Sequence, residues 1–285
     1  MTFYRFQLAE CSLPLVRVGI VVALAGVVMI GGCGKKKPAS EASQAETTAD
    51  PSDVPRIVLD MIDAHGGMVQ WRSAGTVSFE DEFTTPGGSP EVSRVMVDQR
   101  TRRAYIDFPG TDMSLTWDGR KAWGMNWNSP TPPRFIALLN YYFVNLPWLT
   151  MDPGVKLEPK GTGQLAADST EYAVVMMTFE PGTGDTPNDY YRLYIDPATK
   201  RLRAFAYVVT YRALLPPGMQ STPEHIVTYD SLATVNGLAV PVAYTIYEND
   251  AVYATCAIRN WTFGAPFDEA RMTMPEGAVV DTTTP

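Results

Sequence analysis

The chain has 285 residues, 45% of them hydrophobic, with 31 acidic against 23 basic side chains and a formal charge of −8. That acidity argues against a nucleic-acid partner, which would ask for a basic face. Cysteines stand only at 11, 33 and 256, too few for a disulfide framework, so a folded domain must rest on its hydrophobic core.

Residues 1–32 read as a secretory signal. Arg5 and Arg17 supply positive charge ahead of an apolar run over 18–30, and Gly31-Gly32 precede Cys33. The run is shorter than the roughly 20 residues of a membrane-spanning helix. Ile30-Gly31-Gly32-Cys33 resembles a lipobox: small residues let a signal peptidase approach the backbone, and the Cys33 thiol is the nucleophile for a lipid group. Cleavage there makes Cys33 a lipidated N-terminus, a membrane anchor through acyl chains such as palmitate. It also removes Cys11 and leaves Cys256 alone, so no internal disulfide is expected. Gly34 follows Cys33 where an aspartate would retain a lipoprotein in the inner membrane. The expected location is therefore extracytoplasmic, on the periplasmic face of the outer membrane if the source has two membranes. The rest of 33–52, rich in Lys, Pro, Ala, Ser, Glu, Gln and Thr, reads as a flexible tether.

A domain over 53–274 follows. Asp53 is a plausible N-cap, Val54, Ile57, Val58, Met61, Ile62 and His65 keep helical spacing, and Gly66-Gly67 ends the helix. From there the texture alternates with period two. Segments 77–83, 92–98, 104–108, 111–117, 121–127, 171–179, 190–195, 202–211, 226–229, 238–247 and 252–263 read as strands, with Asp118-Gly119 and Asn236-Gly237 as hairpin turns. About eleven sequential strands with short turns predict a mainly β fold, one large curved antiparallel sheet or open β-barrel.

One segment interrupts the alternation. Prolines 130, 132 and 133 introduce 134–145, apolar nearly all round, and Pro147 is expected to stop it. Such a helix must be covered on most sides. It is either a plain core helix or a lid over an apolar cavity, plugging the concave side of the sheet. Phe135, Leu139, Tyr142 and Phe143 fall on one helical face and, with Trp123 and Trp127, are the candidate ligand-binding residues. Residues 275–285 read as a loose tail.

No nucleophile elbow, phosphate loop, dinucleotide fingerprint or His-Glu-x-x-His stands in the sequence, and histidines occur only at 65 and 225. No catalytic residue, metal site or cofactor is expected. His65, at a helix end, reads as a structural group bonding a carbonyl. His225 reads as exposed, Cys256 as a buried inert thiol, and Asp152 as a turn former before Pro153-Gly154.

Several stretches carry a resemblance. Ala64-His65-Gly66-Gly67 with Trp71, then 141–148 with Asp152-Pro153-Gly154-Val155, then Asp189-Tyr190-Tyr191 through Ile195-Asp196-Pro197, and Val235-Asn236-Gly237-Leu238 with Pro241, resemble a family of bacterial secreted domains of unassigned function near the lipoprotein-carrier (LolA/LolB-like) superfamily. The resemblance implies an open antiparallel barrel with helices plugging its concave side, and in the carriers that concavity shields acyl chains. It transfers no ligand contact residue by residue. The expected function is a membrane-anchored, non-catalytic lipoprotein binding a lipid or a lipoprotein acyl chain. The alternatives are an interaction module of the cell envelope without a ligand and, third, a hydrolase.

Overall fold

The computed structural model describes residues 53–283 apart from 167 and 185. The segment 1–32 read as a signal, Cys33, and the segment read as a tether lie outside the described residues. Two helices open the domain, α1 (Arg56–Ala64) and α2 (Gly67–Ser73). A first meander follows: β1 (Thr76–Thr84), β2 (Glu91–Asp98), β3 (Ala104–Asp107), β4 (Ser114–Trp117) and β5 (Ala122–Met125). Then comes the long helix α3 (Pro133–Leu149). The second meander runs through β6 (Val155–Gly163), β7 (Tyr172–Phe179), β8 (Tyr191–Ile195), β9 (Leu202–Tyr207), β10 (His225–Val235), β11 (Leu238–Glu248) and β12 (Ala251–Phe263). A short strand, β13 (Val279–Val280), ends the chain.

All thirteen strands form one antiparallel sheet in the order β13-β5-β4-β3-β2-β1-β12-β11-β10-β9-β8-β7-β6. The two meanders join where β1 pairs with β12, Val77 opposite Phe263. The sheet is therefore an up-and-down barrel left open at one seam, between β5 with its added β13 on one side and β6 on the other. The chain crosses that seam through α3. The helix touches β2 to β5 of one arm and β11 of the other, so the sheet curls round it. Alternation sets which side chains point inward: Val77, Phe79, Asp81 and Phe83 of β1 are all buried.

The N-terminal corner is tied down through His65. Its ring Nδ1–H donates to the Ala239 carbonyl at 2.7 Å, and its Nε2 accepts from the Leu202 amide at 3.1 Å. Burial holds this imidazole neutral, its pKa lowered to about 4. Gly66 follows at φ 105°, pressed against the β10–β11 turn, where a Cβ would meet the Gly237 oxygen at 2.3 Å. Two motifs far apart in sequence thus lock together. α2, absent from the sequence expectations, stacks Trp71 on Trp148 of α3 at 4.4 Å. It carries no apolar stripe: Trp71 is its one buried residue and Val69 is 87% exposed.

Other expectations are corrected. Asp53 does not cap α1; Pro55 holds that position without a side-chain bond. α3 does not stop at Pro147 but runs two residues beyond it. Proline lacks the N–H that would bond the carbonyl four residues earlier, that of Phe143. The Tyr229 hydroxyl donates to that carbonyl instead, so the helix continues without an orphaned acceptor. The strand count rises from eleven to thirteen with β6 and β13.

Residues 279–283 are tied to the domain. β13 pairs Val279 with Gly124 and Val280 with Trp123. Asp281 then accepts from the Arg134 amide at 2.8 Å, and Thr283 Oγ1 meets the Tyr211 hydroxyl at 2.9 Å. The first turn of α3 begins with prolines that bring no capping side chain, and a carboxylate borrowed from the tail supplies one. His225 is not exposed either. It starts β10 between Tyr207 of β9 and Glu248 of β11, stacks on Tyr207 and is 1% exposed. No helix among the described residues is long and apolar enough to cross a membrane.

Candidate functional site

A groove of about 1130 Å³ runs along the open seam. Its floor is the outer face of α3: Phe135, Leu138, Leu139 and Tyr142, spaced three and four apart, all half-buried. One wall comes from the second meander, with Val155, Phe179, Tyr191, Tyr207, Val209 and Tyr211. Opposite stand Trp117 at the end of β4, the turn 99–102 between β2 and β3, and Met68, Trp71 and Arg72 of α2. Phe135 meets Tyr211 edge-on at 5.4 Å, and Tyr191 stacks with Tyr207 at 6.2 Å. The volume lies just above the range of about 300–1,000 Å³ usual for small-molecule sites.

Polar groups share the lining with these apolar side chains. Arg102 donates from Nη2 to both Asp152 oxygens at 2.7 and 2.8 Å. Asp152 thus ties α3's C-terminal loop to the β2–β3 turn, beyond the local turn role expected of it. Asp189 accepts from the Thr210 amide and hydroxyl and from the Thr186 hydroxyl at 2.6 to 2.7 Å. Burial nevertheless lifts its pKa above the usual carboxylate range. Arg134 lies over the Trp117 ring at 5.1 Å. Among the described residues no three His, Cys, Asp or Glu side chains are grouped to hold a metal ion.

No family model matches the chain, and no curated protein does. Among solved structures, a LolA superfamily protein from Nitrosomonas europaea is similar. It is 10% identical with a TM-score of 0.47, over 76% of this chain and 96% of that one. A DUF1329 family protein from Desulfovibrio piger is 9% identical with a TM-score of 0.49, over 76% and 94%. An outer membrane lipoprotein-sorting protein domain from Vibrio parahaemolyticus is 8% identical with a TM-score of 0.46, again over 76% and 94%.

The six candidate residues fall into two groups. Phe135, Leu139 and Tyr142 line the groove. Phe143 turns inward and packs on Phe205, Tyr207 and Tyr244 at 5.6, 4.9 and 6.4 Å. Trp127 sits over Gly124, where a Cβ would meet its own Cβ at 2.6 Å, and bonds the Thr131 carbonyl at 3.0 Å. Trp123 lies on the convex side. It is in register with Thr116, whose strand neighbours Leu115 and Trp117 face the core, and Thr116 bonds Arg271 in the turn Glu269–Met272. The wall from the second meander was not anticipated, nor was the Arg102–Asp152 pair. The strands carrying Phe179, Tyr191 and Tyr207 were legible, but alternation does not say which of their faces meets a cavity.

Two buried groups lie away from the groove. Asp81 accepts from the Tyr244 hydroxyl at 3.3 Å, and burial pushes its pKa up to about 7. The Cys256 thiol is buried beside it and pushed well above its ordinary pKa, which leaves it protonated and unreactive.

Proposed function

We propose that this protein is a membrane-tethered, non-catalytic binder of an apolar ligand, a lipid or a lipoprotein acyl chain, held in the seam groove. The observation that carries this reading is the half-buried strip Phe135, Leu138, Leu139 and Tyr142 facing Tyr191, Tyr207 and Phe179 across about 1130 Å³. Covering such a strip gains about 25 cal/mol for each Å² of apolar area removed from water. A binding role also suits the two groove carboxylates: Asp152 is neutralised by Arg102 and Asp189 is saturated by threonine donors, so neither is poised as a general base. Titration with a fluorescent fatty acid tests the reading. Saturable binding in the parent, weakened at least tenfold by Leu139→Asp without loss of fold, is expected. Absence of saturable binding retires it in favour of an interaction module without a ligand.

The anchor is part of the same proposal. Cys33 carries the lipid, residues 34–52 span the distance to the domain, and the domain works on the periplasmic face of a membrane, the outer one where there are two. Cys33→Ala is expected to block processing and release the protein from the membrane fraction. Unchanged cleavage and membrane association in that variant would remove the anchor from the proposal.

A further inference from the structure

The groove lining is richer in arginine than in carboxylate although the protein is acidic. Arg72, Arg100, Arg102 and Arg134 line it against Asp152 and Asp189, while the whole chain carries −8. Among these, Arg102 adopts a left-handed backbone at φ 57°. Its Nε donates to the Gln99 carbonyl at 3.1 Å and its Nη2 is taken by Asp152. Its guanidinium lies 5.1 Å from the centre of the Tyr141 ring, which fixes the plane of the fork. Among the described residues Nη1 has no hydrogen-bond partner although it is buried, and the same holds for both polar atoms of the Gln99 side chain. A buried donor left unbonded costs about 1–3 kcal/mol, more when it is charged. One edge of a positive fork and an amide of the same turn are therefore left unsatisfied, in a turn that lines the groove, with no acceptor for them among the described residues.

We infer that the turn Gln99–Arg102 binds the anionic head, carboxylate or phosphate, of an amphipathic ligand whose chain lies along Phe135, Leu139 and Tyr142. The inference rests on the groove being the ligand site. Arg102 Nη1 and Gln99 Nε2 donate to the head's oxygens, and Asp152 keeps the guanidinium in place from its other edge. An oxygen anion suits this fork because charge-assisted bonds to guanidinium are the strong ones. A ligand with a neutral head would leave the donors unsatisfied.

The test uses three fluorescent probes with the same chain: the fatty acid, its methyl ester and the alkyl phosphate monoester. In the parent protein the better anion should bind about tenfold or more tightly than the ester, the size of one or two bonds to a charged group. Preference for the carboxylate points to a free acyl chain, and preference for the phosphate to a phospholipid head; either supports the subsite. Arg102→Gln should erase most of the gap between anion and ester. Gln99→Leu preserves the Arg102–Asp152 ion pair, so it carries the test if the arginine variant melts early, and it should narrow the gap severalfold. Equal binding of all three probes to the parent overturns the subsite and leaves the groove standing. A gap that survives both substitutions assigns the head to other residues and overturns this one. Failure of every probe to saturate overturns the groove itself.

Discussion

Phe135 and Phe143 stand eight residues apart on the same helix and live in different surroundings. Phe143 lies in the cup of the sheet, against three aromatic rings, and is 3% exposed. Phe135 touches Tyr211 along one edge and opens into the groove. Nothing in their side chains differs; what differs is whether a strand passes over them. The binding surface of this fold is thus made by a ladder that stops, and the same apolar helix serves as core where the sheet covers it and as floor where the seam is open.

The sharpest way to break that contrast is truncation. Phe143→Ala is expected to cost about 3–5 kcal/mol of stability, as a cavity in a closed core does. Phe135→Ala should cost about 1 kcal/mol, because part of its surface already meets water. Urea unfolding of both variants measures the difference, and equal losses would mean that Phe135 is core too.

The covered half of α3 should also answer to pH. Asn140 of α3 bonds Ser93, which lies opposite Asp81 in the sheet. With its folded pKa near 7 against about 4 unfolded, Asp81 gives full stability below pH 4 and loses it as pH rises toward 7, at about 1.4 kcal/mol per unit. His65 has the opposite sign. Its folded pKa near 4 lies below about 6.5 unfolded, so stability is full above pH 6.5 and is lost as pH falls toward 4. Between pH 4 and 6.5 the two slopes oppose each other and the parent should be nearly flat. Asp81→Asn removes one of them, and the variant's unfolding midpoint should then climb with pH across that window. An unaltered profile in the variant would show that Asp81 ionises as an ordinary surface carboxylate.

The open half of the helix owes its start to the tail. Asp281→Ala withdraws the carboxylate bonded to the Arg134 amide and should cost about 0.5–2 kcal/mol, the range of a lost N-cap. Hydrogen exchange should speed up in the first turn of α3 and stay unchanged around Phe143. Uniform loosening along the helix would argue that its two halves are one unit.

Much of the fold was legible because half-buried strands advertise themselves by alternation, and eleven of them did. The misses share a cause. β6 holds Pro159 and two glycines and lies at an edge, where a ladder tolerates them, so its pattern was broken. β13 is two residues long, and α2 buries only Trp71. At the site, helical spacing grouped Phe135, Leu139 and Tyr142, which line the groove, with Phe143, which does not, because spacing knows the helix and not the strand above it. Alternation put Trp123 and Trp127 on one face. Asn126, left-handed at φ 49°, ends that alternation, and the two rings finish on opposite sides of the sheet. The Arg102–Asp152 pair joins residues fifty positions apart and leaves no local trace in the sequence.

The β1–β12 junction has a consequence in time. β1 is made early and finds β2 within a few residues, but its other edge stays bare until residues 251–263 are synthesised. The register that turns two separate meanders into a single sheet needs strands brought together across most of the chain. Until then a nascent chain presents an unpaired inner strand carrying Val77, Phe79 and Phe83, the kind of edge that recruits stray partners. The vulnerable interval of this protein is therefore its birth, and it ends only when the final long strand arrives.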